Sequence, residues 1–284
     1  MLITGASTGI GKACALDLDK RGWRVLAGYR NPQHHDQLVA EGSERLIPVE
    51  IDVTSEESVT KAAHFVVEAI GGRGLHGLVN NAGIALAGPL EFLPIEEMQR
   101  QLEVNVTGQL RVTQTFLPNL RASQGRIVMM SSVSGRVSTP MLGPYCASKF
   151  ALEAMTDALR VELMPWNIEV ALIEPGKIKT EIWQKGLSWA EKLKKELPQI
   201  AWDLYGPMMH RAEHLTRRAD EEGVPAQLVA DKVAHALMAR KPKTRYVIGK
   251  DGSQQIWFKR LLPTRFFDKQ IYKFLTKTPK QPAQ

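Results

Sequence analysis

Cysteine is nearly absent from this chain of 284 residues, which carries only Cys14 and Cys146. The pair shows neither metal-ligand nor redox-motif spacing, so no metal centre is expected. Both sit in helical patterns and read as buried small hydrophobes rather than as a disulfide. That suits a reducing compartment such as the cytoplasm. No apolar run approaches the roughly twenty residues that cross a bilayer, and no secretion signal is read at the start. Excess charge is missing from most of the chain too. The net charge is +7, yet residues 240–284 hold twelve Lys and Arg against Asp251 and Asp268, so residues 1–239 are slightly acidic. The main body is therefore no binder of polyanions. The basic end could meet phosphate or a membrane surface, or form an ordinary solvated face.

What is present suits a large α/β unit. Hydrophobic residues make up 44% and charged residues 24%, as in soluble globular chains. The densest chemistry lies in S-S-V-S-G-R-V-S-T-P-M-L-G-P-Y-C-A-S-K, Ser131 to Lys149. The apolar run Arg126–Met130 leads into it as a strand, and Tyr145 opens a helical pattern. Tyr145 and Lys149 then lie one turn apart on one helix face, about 5–6 Å between Cβ atoms. A strand end, a loop and a helix start can bring Ser132 to both.

Such a trio has a specific use. A free phenol has a pKa of about 10, and a nearby ammonium favours the phenolate. Reaching neutrality would take about 4 kcal/mol of differential interaction. A tuned Tyr can exchange a proton with an alcohol oxygen, while a Ser hydroxyl binds the same oxygen. Spacing alone is weak evidence, because Tyr246 and Lys250 repeat it. That second pair reads as a strand and turn, where four residues span roughly 13 Å, and the residue thirteen before Tyr246 is Val233 rather than Ser.

The order of elements supplies context. Met1–Thr4 is a first strand short enough to suggest a truncated start. It runs into Gly5, Gly9 and Gly11 before a helix at 12–21, a turn whose backbone N–H groups can approach a pyrophosphate. The second strand ends at Tyr29-Arg30-Asn31 with no acid. An acid there would suit a ribose hydroxyl, whereas Arg30 favours a 2′-phosphate. A third strand ends at Asp52-Val53, a helix follows over 55–70 with Thr54 or Ser55 as cap, and a fourth strand, 77–79, runs into Asn80–Gly83. This alternation predicts a doubly wound parallel sheet with right-handed crossovers. A single amphipathic helix is expected over 95–119, with Asn105 in its middle requiring a partner. A sixth strand, 168–173, leads to Pro175–Thr180. Ligands bind beyond the carboxyl ends of such strands, which puts the trio and the glycine turn on one edge.

With these residues in view, the chain resembles the short-chain dehydrogenase/reductase family. T-G-A-S-T-G-I-G, D-V, N-N-A-G, the Asn of N-V-T-G, S-S-V-S-G, Y-C-A-S-K and P-G-K-I-K-T occur in the family's order over residues 2 to about 180. The resemblance implies a Rossmann-like single domain over residues 1–250. It implies Tyr145 as general acid/base, Ser132 on the substrate oxygen, Lys149 on the ribose hydroxyls and lowering the Tyr pKa, and Asn105 anchoring a relay water. Gly5, Ser7, Thr8, Gly9, Ile10 and Gly11 would carry the pyrophosphate. Arg30, Asp52, Val53, Asn80, Ala82 and Gly83 would serve the adenosine side, and Pro175, Gly176, Ile178 and Thr180 the nicotinamide. NADP(H) is the preferred cofactor. Thr8, where many NADP-preferring members carry a basic residue, keeps NAD(H) open.

Residues 181–223 hold Trp183, Trp189, Leu193, Leu197, Met208 and Met209 in one or two amphipathic helices. They read as a mobile lid over an apolar substrate or as a surface hairpin. With the tail, they are similar to the branch containing 17β-hydroxysteroid and retinol dehydrogenases, implying a bulky lipophilic alcohol or carbonyl. Alternatives are a 3-oxoacyl thioester reductase and a non-catalytic NADP(H)-binding sensor. Residues 251–284 form a basic amphipathic extension. It would pack over the cleft or a partner subunit, or, second, rest on a membrane; nucleic acid is the least favoured partner. The resemblance implies a homodimer or homotetramer.

Overall fold

The computed structural model describes residues 1–276; the end of the basic extension, 277–284, lies outside the described residues. Short continuous apolar runs form parallel strands, as expected for a sheet covered on both faces. They are β1 (Leu2–Ile3), β2 (Val25–Tyr29), β3 (Leu46–Glu50), β4 (Gly77–Asn80), β5 (Arg126–Met130) and β6 (Glu169–Pro175). β7 (Ile178–Lys179) and β8 (Val224–Pro225) pair with each other, and β9 (Arg245–Ile248) joins the main sheet. The seven-stranded sheet runs in the order β3-β2-β1-β4-β5-β6-β9, with every neighbouring pair parallel.

Strand side chains alternate between faces, and this splits the core in two. Leu2, Leu26, Leu78, Ile127 and Leu172 enter one apolar cluster, whereas Ile3, Ala27, Val79, Val128 and Ile173, each the next residue, enter the other. The first cluster is closed by α3 (Glu56–Ile70), α5 (Gly108–Ser123) and α6 (Gly143–Glu162). The second is closed by α1 (Gly9–Lys20), α2 (His35–Glu41) and α9 (Gln227–Met238). Ser55, rather than Thr54, caps α3 by accepting from Ser58 N at 3.2 Å.

The expected single helix over 95–119 is instead two. α4 (Ile95–Leu102) and α5 are joined by a π-turn at Glu103–Thr107. Such single π-turns inside helices gather at functional sites, and this one carries Asn105. Tyr246 is a structural residue on β9, with its hydroxyl against His235 Nδ1 and Lys243 N, both at 2.9 Å. The region after β7 forms two helices, α7 (Ile182–Glu196) and α8 (Gln199–Glu222). The chain continues through α10 (Lys250–Leu261) to α11 (Thr264–Thr276), which packs against α8. Among the described residues no helix is long and apolar enough to cross a membrane.

Candidate active site

One cavity of about 870 Å³ runs along the carboxyl ends of the strands. Its floor begins at the glycine turn. Gly5 takes φ +63°, a left-handed value that favours glycine, and a Cβ on Gly11 would fall 2.2 Å from Gly5 O. Gly11 thus holds α1 against the turn without lining the cavity, whereas Gly5, Ser7, Thr8, Gly9 and Ile10 line it. Thr8 is the N-cap of α1 but makes no side-chain cap, and no acid occupies the first turn. The first N–H groups of the helix are left for an anion.

Arg30, Asp52 and Val53 line the same cavity. The Asp52 carboxylate accepts from Thr54 N at 2.9 Å and Thr54 Oγ1 at 2.7 Å, and Arg111 Nη1 holds Val53 O at 2.5 Å. The loop after β4 corrects the sequence reading. Asn80 is fully buried, donating to Thr113 Oγ1 at 2.8 Å, and does not reach the cavity. It ends β4 with its side chain toward α5. Asn81, one residue on, faces the other way; it lines the cavity and donates to Thr4 O and Gly5 O at 3.0 and 2.9 Å. Asn81 is a site residue that the sequence reading missed. Ala82 and Gly83 line the cavity as expected.

Asn105 is buried beneath this loop rather than in the cavity. Its amide accepts from Ile84 N at 2.9 Å and donates to Ile84 O and Ser148 Oγ, both at 3.0 Å. With both ends of the amide engaged, the side chain fixes the loop. It does not act alone. Gln101 bonds Leu86 N and Ile84 O, and Gln109 donates to Ala82 O. Three amides, four residues apart in sequence, thus hold alternate residues of one loop. Their spacing was the available signal.

Ser132, Tyr145 and Lys149 are brought together as expected, all lining the cavity. Ser132 Oγ accepts from Ser134 N at 3.1 Å and donates to Pro175 O at 3.3 Å. Tyr145 stands on the first turn of α6, half-buried by surface area, with its hydroxyl deep among protein atoms. Lys149 is 4% exposed; its Nζ donates to Met130 O at 2.7 Å and lies 5.7 Å from the Tyr145 ring centre.

Burial dominates the electrostatics of this pair. Burial pushes the Tyr145 phenol up to about 12, and the Ser132 hydroxyl only partly offsets it. The Lys149 ammonium, 5.7 Å from the ring centre, does not outweigh that burial. Burial lowers Lys149 to about 8, with Glu153 partly restoring it. At neutral pH the phenol therefore keeps its proton and the amine keeps most of its charge.

At the far end Pro175, Gly176, Ile178 and Thr180 line the cavity, continuous with Leu187, Leu193 and Leu197 of the α7 region and Met209 and Leu215 of α8. Of the long side chains expected in a lid, Trp183, Leu193, Leu197 and Met209 line the cavity, whereas Trp189 and Met208 do not. Phe267, Ile271 and Leu275 of α11 close the roof.

Over residues 1–191 the chain matches the family model described as short chain dehydrogenase. It is 38% identical over 284 residues to the NADPH-dependent 3-dehydrocapnine reductase of Ornithobacterium rhinotracheale, covering 97% of each chain. It is 39% identical to 17-beta-hydroxysteroid dehydrogenase type 6 of Bos taurus, covering 100% of this chain and 90% of that one. It is 39% identical to retinol dehydrogenase 16 of Homo sapiens, covering 96% and 87%. Among solved structures, a short chain dehydrogenase from Burkholderia cenocepacia in complex with NADP superposes with TM-score 0.71 at 26% identity, covering 98% of this chain and 97% of that one. A short chain dehydrogenase/reductase from Burkholderia phymatum in complex with NAD gives TM-score 0.78 at 24% identity, covering 100% and 96%.

Proposed function

The chain belongs to the short-chain dehydrogenase/reductase family, and on that premise we propose that it reduces a bulky lipophilic ketone or aldehyde to its alcohol, with NADP(H) as preferred coenzyme. The observation that carries this reading is the continuity of one cavity, from the glycine turn past Ser132, Tyr145 and Lys149 to the apolar faces of α7, α8 and α11. The residues present fit a nicotinamide dinucleotide. The close Gly5–Gly11 contact and the uncapped start of α1 make a cradle for a pyrophosphate. Arg30, exposed after β2, and Asp52-Val53 would hold the adenosine end. Lys149 and Pro175–Thr180 would hold the other.

When bound, the dinucleotide supplies hydride to the carbonyl carbon. The chain's own residues do the rest. Ser132 Oγ turns from Pro175 O to donate to the substrate oxygen. Tyr145 delivers its proton to that oxygen as negative charge develops there, as general acid. At neutral pH the buried phenol is protonated, the form that carbonyl reduction uses, whereas alcohol oxidation uses the phenolate. The Lys149 charge, close behind the ring, stabilises the anion left on Tyr145 until a proton returns.

The α7–α8 region is read as the lid and its apolar lining as the substrate surface, which a thioester reductase would not require. Outside the roof, α10 and α11 expose Trp257, Phe258, Leu261, Phe266 and Tyr272 among Lys259, Arg260, Arg265, Lys269 and Lys273. Such interleaving suits the surface of an anionic membrane. Co-sedimentation with anionic but not neutral vesicles is expected; equal binding to neither would remove this part. A homo-oligomer is proposed from family membership, and light scattering at the mass of one chain would dismiss it.

The experiment is the fall in nicotinamide absorbance with NADPH or NADH against ketosteroids, retinal, aliphatic ketones and acetoacetyl thioester. Turnover of a lipophilic class is the expected result. Tight coenzyme binding with no turnover of any class would favour the sensor reading, and turnover of the thioester alone would favour the fatty-acid reductase.

A further inference from the structure

The glycine turn lacks a cation of its own. Thr8 is neutral, and Lys12, the first lysine after it, turns away to Glu41 at 2.6 Å. Instead a cation arrives from 177 residues further on. Lys185, in the first turns of α7, donates from Nζ to Thr8 Oγ1 at 3.3 Å. Glu181, four residues earlier, places Oε2 3.3 Å from the point where a Cβ on Gly9 would stand. Charges at this spacing on a helix ordinarily pair with each other. Here each reaches the glycine turn instead, and both line the cavity.

The chemistry is unbalanced in a telling way. An ammonium has three N–H donors and no acceptor. Lys185 gives one to a neutral hydroxyl, and among the described residues no carboxylate lies within ion-pair distance of it. The other cavity-lining lysines are placed differently. Lys149 is committed to Met130 O, Lys194 to Glu191 and Glu213, and Lys177 stands beside Gly176 after β6. Lys185 is thus the lysine held over the start of α1, where the helix N–H groups already favour an anion.

We infer that Lys185 is a coenzyme-binding residue carried by the lid, contacting the pyrophosphate at the glycine turn, so that coenzyme binding and docking of α7 are one event. Glu181 acts in the opposite sense, holding a negative charge over the same turn and easing release. The inference rests on the nicotinamide-dinucleotide reading of the site.

The test is titration of the full-length protein with NADPH and with NADH, followed by nicotinamide fluorescence at low and high salt. Lys185→Met should weaken both coenzymes by about ten-fold and flatten the salt dependence. Lys185→Arg should restore affinity, and Glu181→Gln should tighten both coenzymes. The NADPH-to-NADH ratio should stay constant, because the pyrophosphate is common to both. A second readout is proteolysis: coenzyme should protect 182–222 in the wild type and less so in Lys185→Met. Wild-type affinity in Lys185→Met would overturn the inference while leaving the coenzyme reading intact. A loss confined to NADPH would also overturn it, since that would place Lys185 on the 2′-phosphate. A wild type that binds neither coenzyme would overturn the coenzyme reading and this inference with it.

Discussion

Replacing Lys149 by Met should remove turnover without destabilising the fold near neutral pH, and should change how stability depends on pH. Lys149 is 4% exposed, and burial lowers its pKa from 10.5 to about 8. The difference corresponds to about 3 kcal/mol, at ~1.4 kcal/mol per pH unit. The sign follows from proton counts. Between pH 8 and 10.5 the unfolded chain holds the lysine proton while the folded chain has released it. Wild-type stability therefore rises with pH across that window, and below it the full cost of the buried charge is present. Met carries no charge, so its variant lacks this rise. It also loses the Nζ bond to Met130 O, worth about 1 kcal/mol, and strands a carbonyl at about 1–3 kcal/mol. These terms roughly offset the gain at neutral pH. The clear signature is the gap between the two proteins, which should move by about 3 kcal/mol in favour of the wild type from neutral pH to about pH 10. The raised Tyr145 phenol works oppositely, lowering stability as pH rises from 10 to about 12, but it is common to both proteins and cancels in the difference. Urea unfolding followed by tryptophan fluorescence at stepped pH would measure this. Parallel stability curves for the two proteins would refute the buried, depressed ammonium.

The same values shape the rates. Carbonyl reduction should be level below about pH 8 and decline above it as Lys149 loses its charge, while alcohol oxidation should climb with pH because phenolate is scarce until about 12; kcat in both directions across pH checks this. Asn105→Ala removes three hydrogen bonds of a buried side chain and should cost about 2–4 kcal/mol, read from chemical unfolding; a loss under about 0.5 kcal/mol would show the loop is held without it. Arg30→Ala should raise the Kd for NADPH by about ten-fold against NADH, and an unchanged ratio would deny Arg30 the 2′-phosphate.

Local patterns were the legible part of this chain. The strand-to-loop end at Ser132 and the one-turn spacing of Tyr145 and Lys149 involve few residues of a regular element, so geometry follows directly from sequence. Short apolar runs likewise marked the strands β2 to β6 of the parallel sheet. What escaped depends on parity and on contacts distant in sequence. Whether Asn80 or Asn81 faces the cavity turns on β4 continuing one residue past Val79. The π-turn at Glu103–Thr107 is set by side chains gripping Ile84 and Ser148, not by the propensity of E-V-N-V-T. The phenol's rise is a property of desolvation, which a motif does not reveal. Lys185 meets Thr8 across most of the chain, and the roof of α11 over the cavity is equally non-local.

The central claim is that this cavity passes hydride to a lipophilic carbonyl while Tyr145 supplies the proton. The most direct measurement is mass spectrometry of the product formed from retinal and from a ketosteroid with NADPH deuterated at the transferred position. The account predicts an alcohol one mass unit heavier for at least one of them, with the rate reduced by about 100- to 10,000-fold in Tyr145→Phe. An unlabelled product, no product from either carbonyl, or label transfer at the wild-type rate in Tyr145→Phe would contradict it.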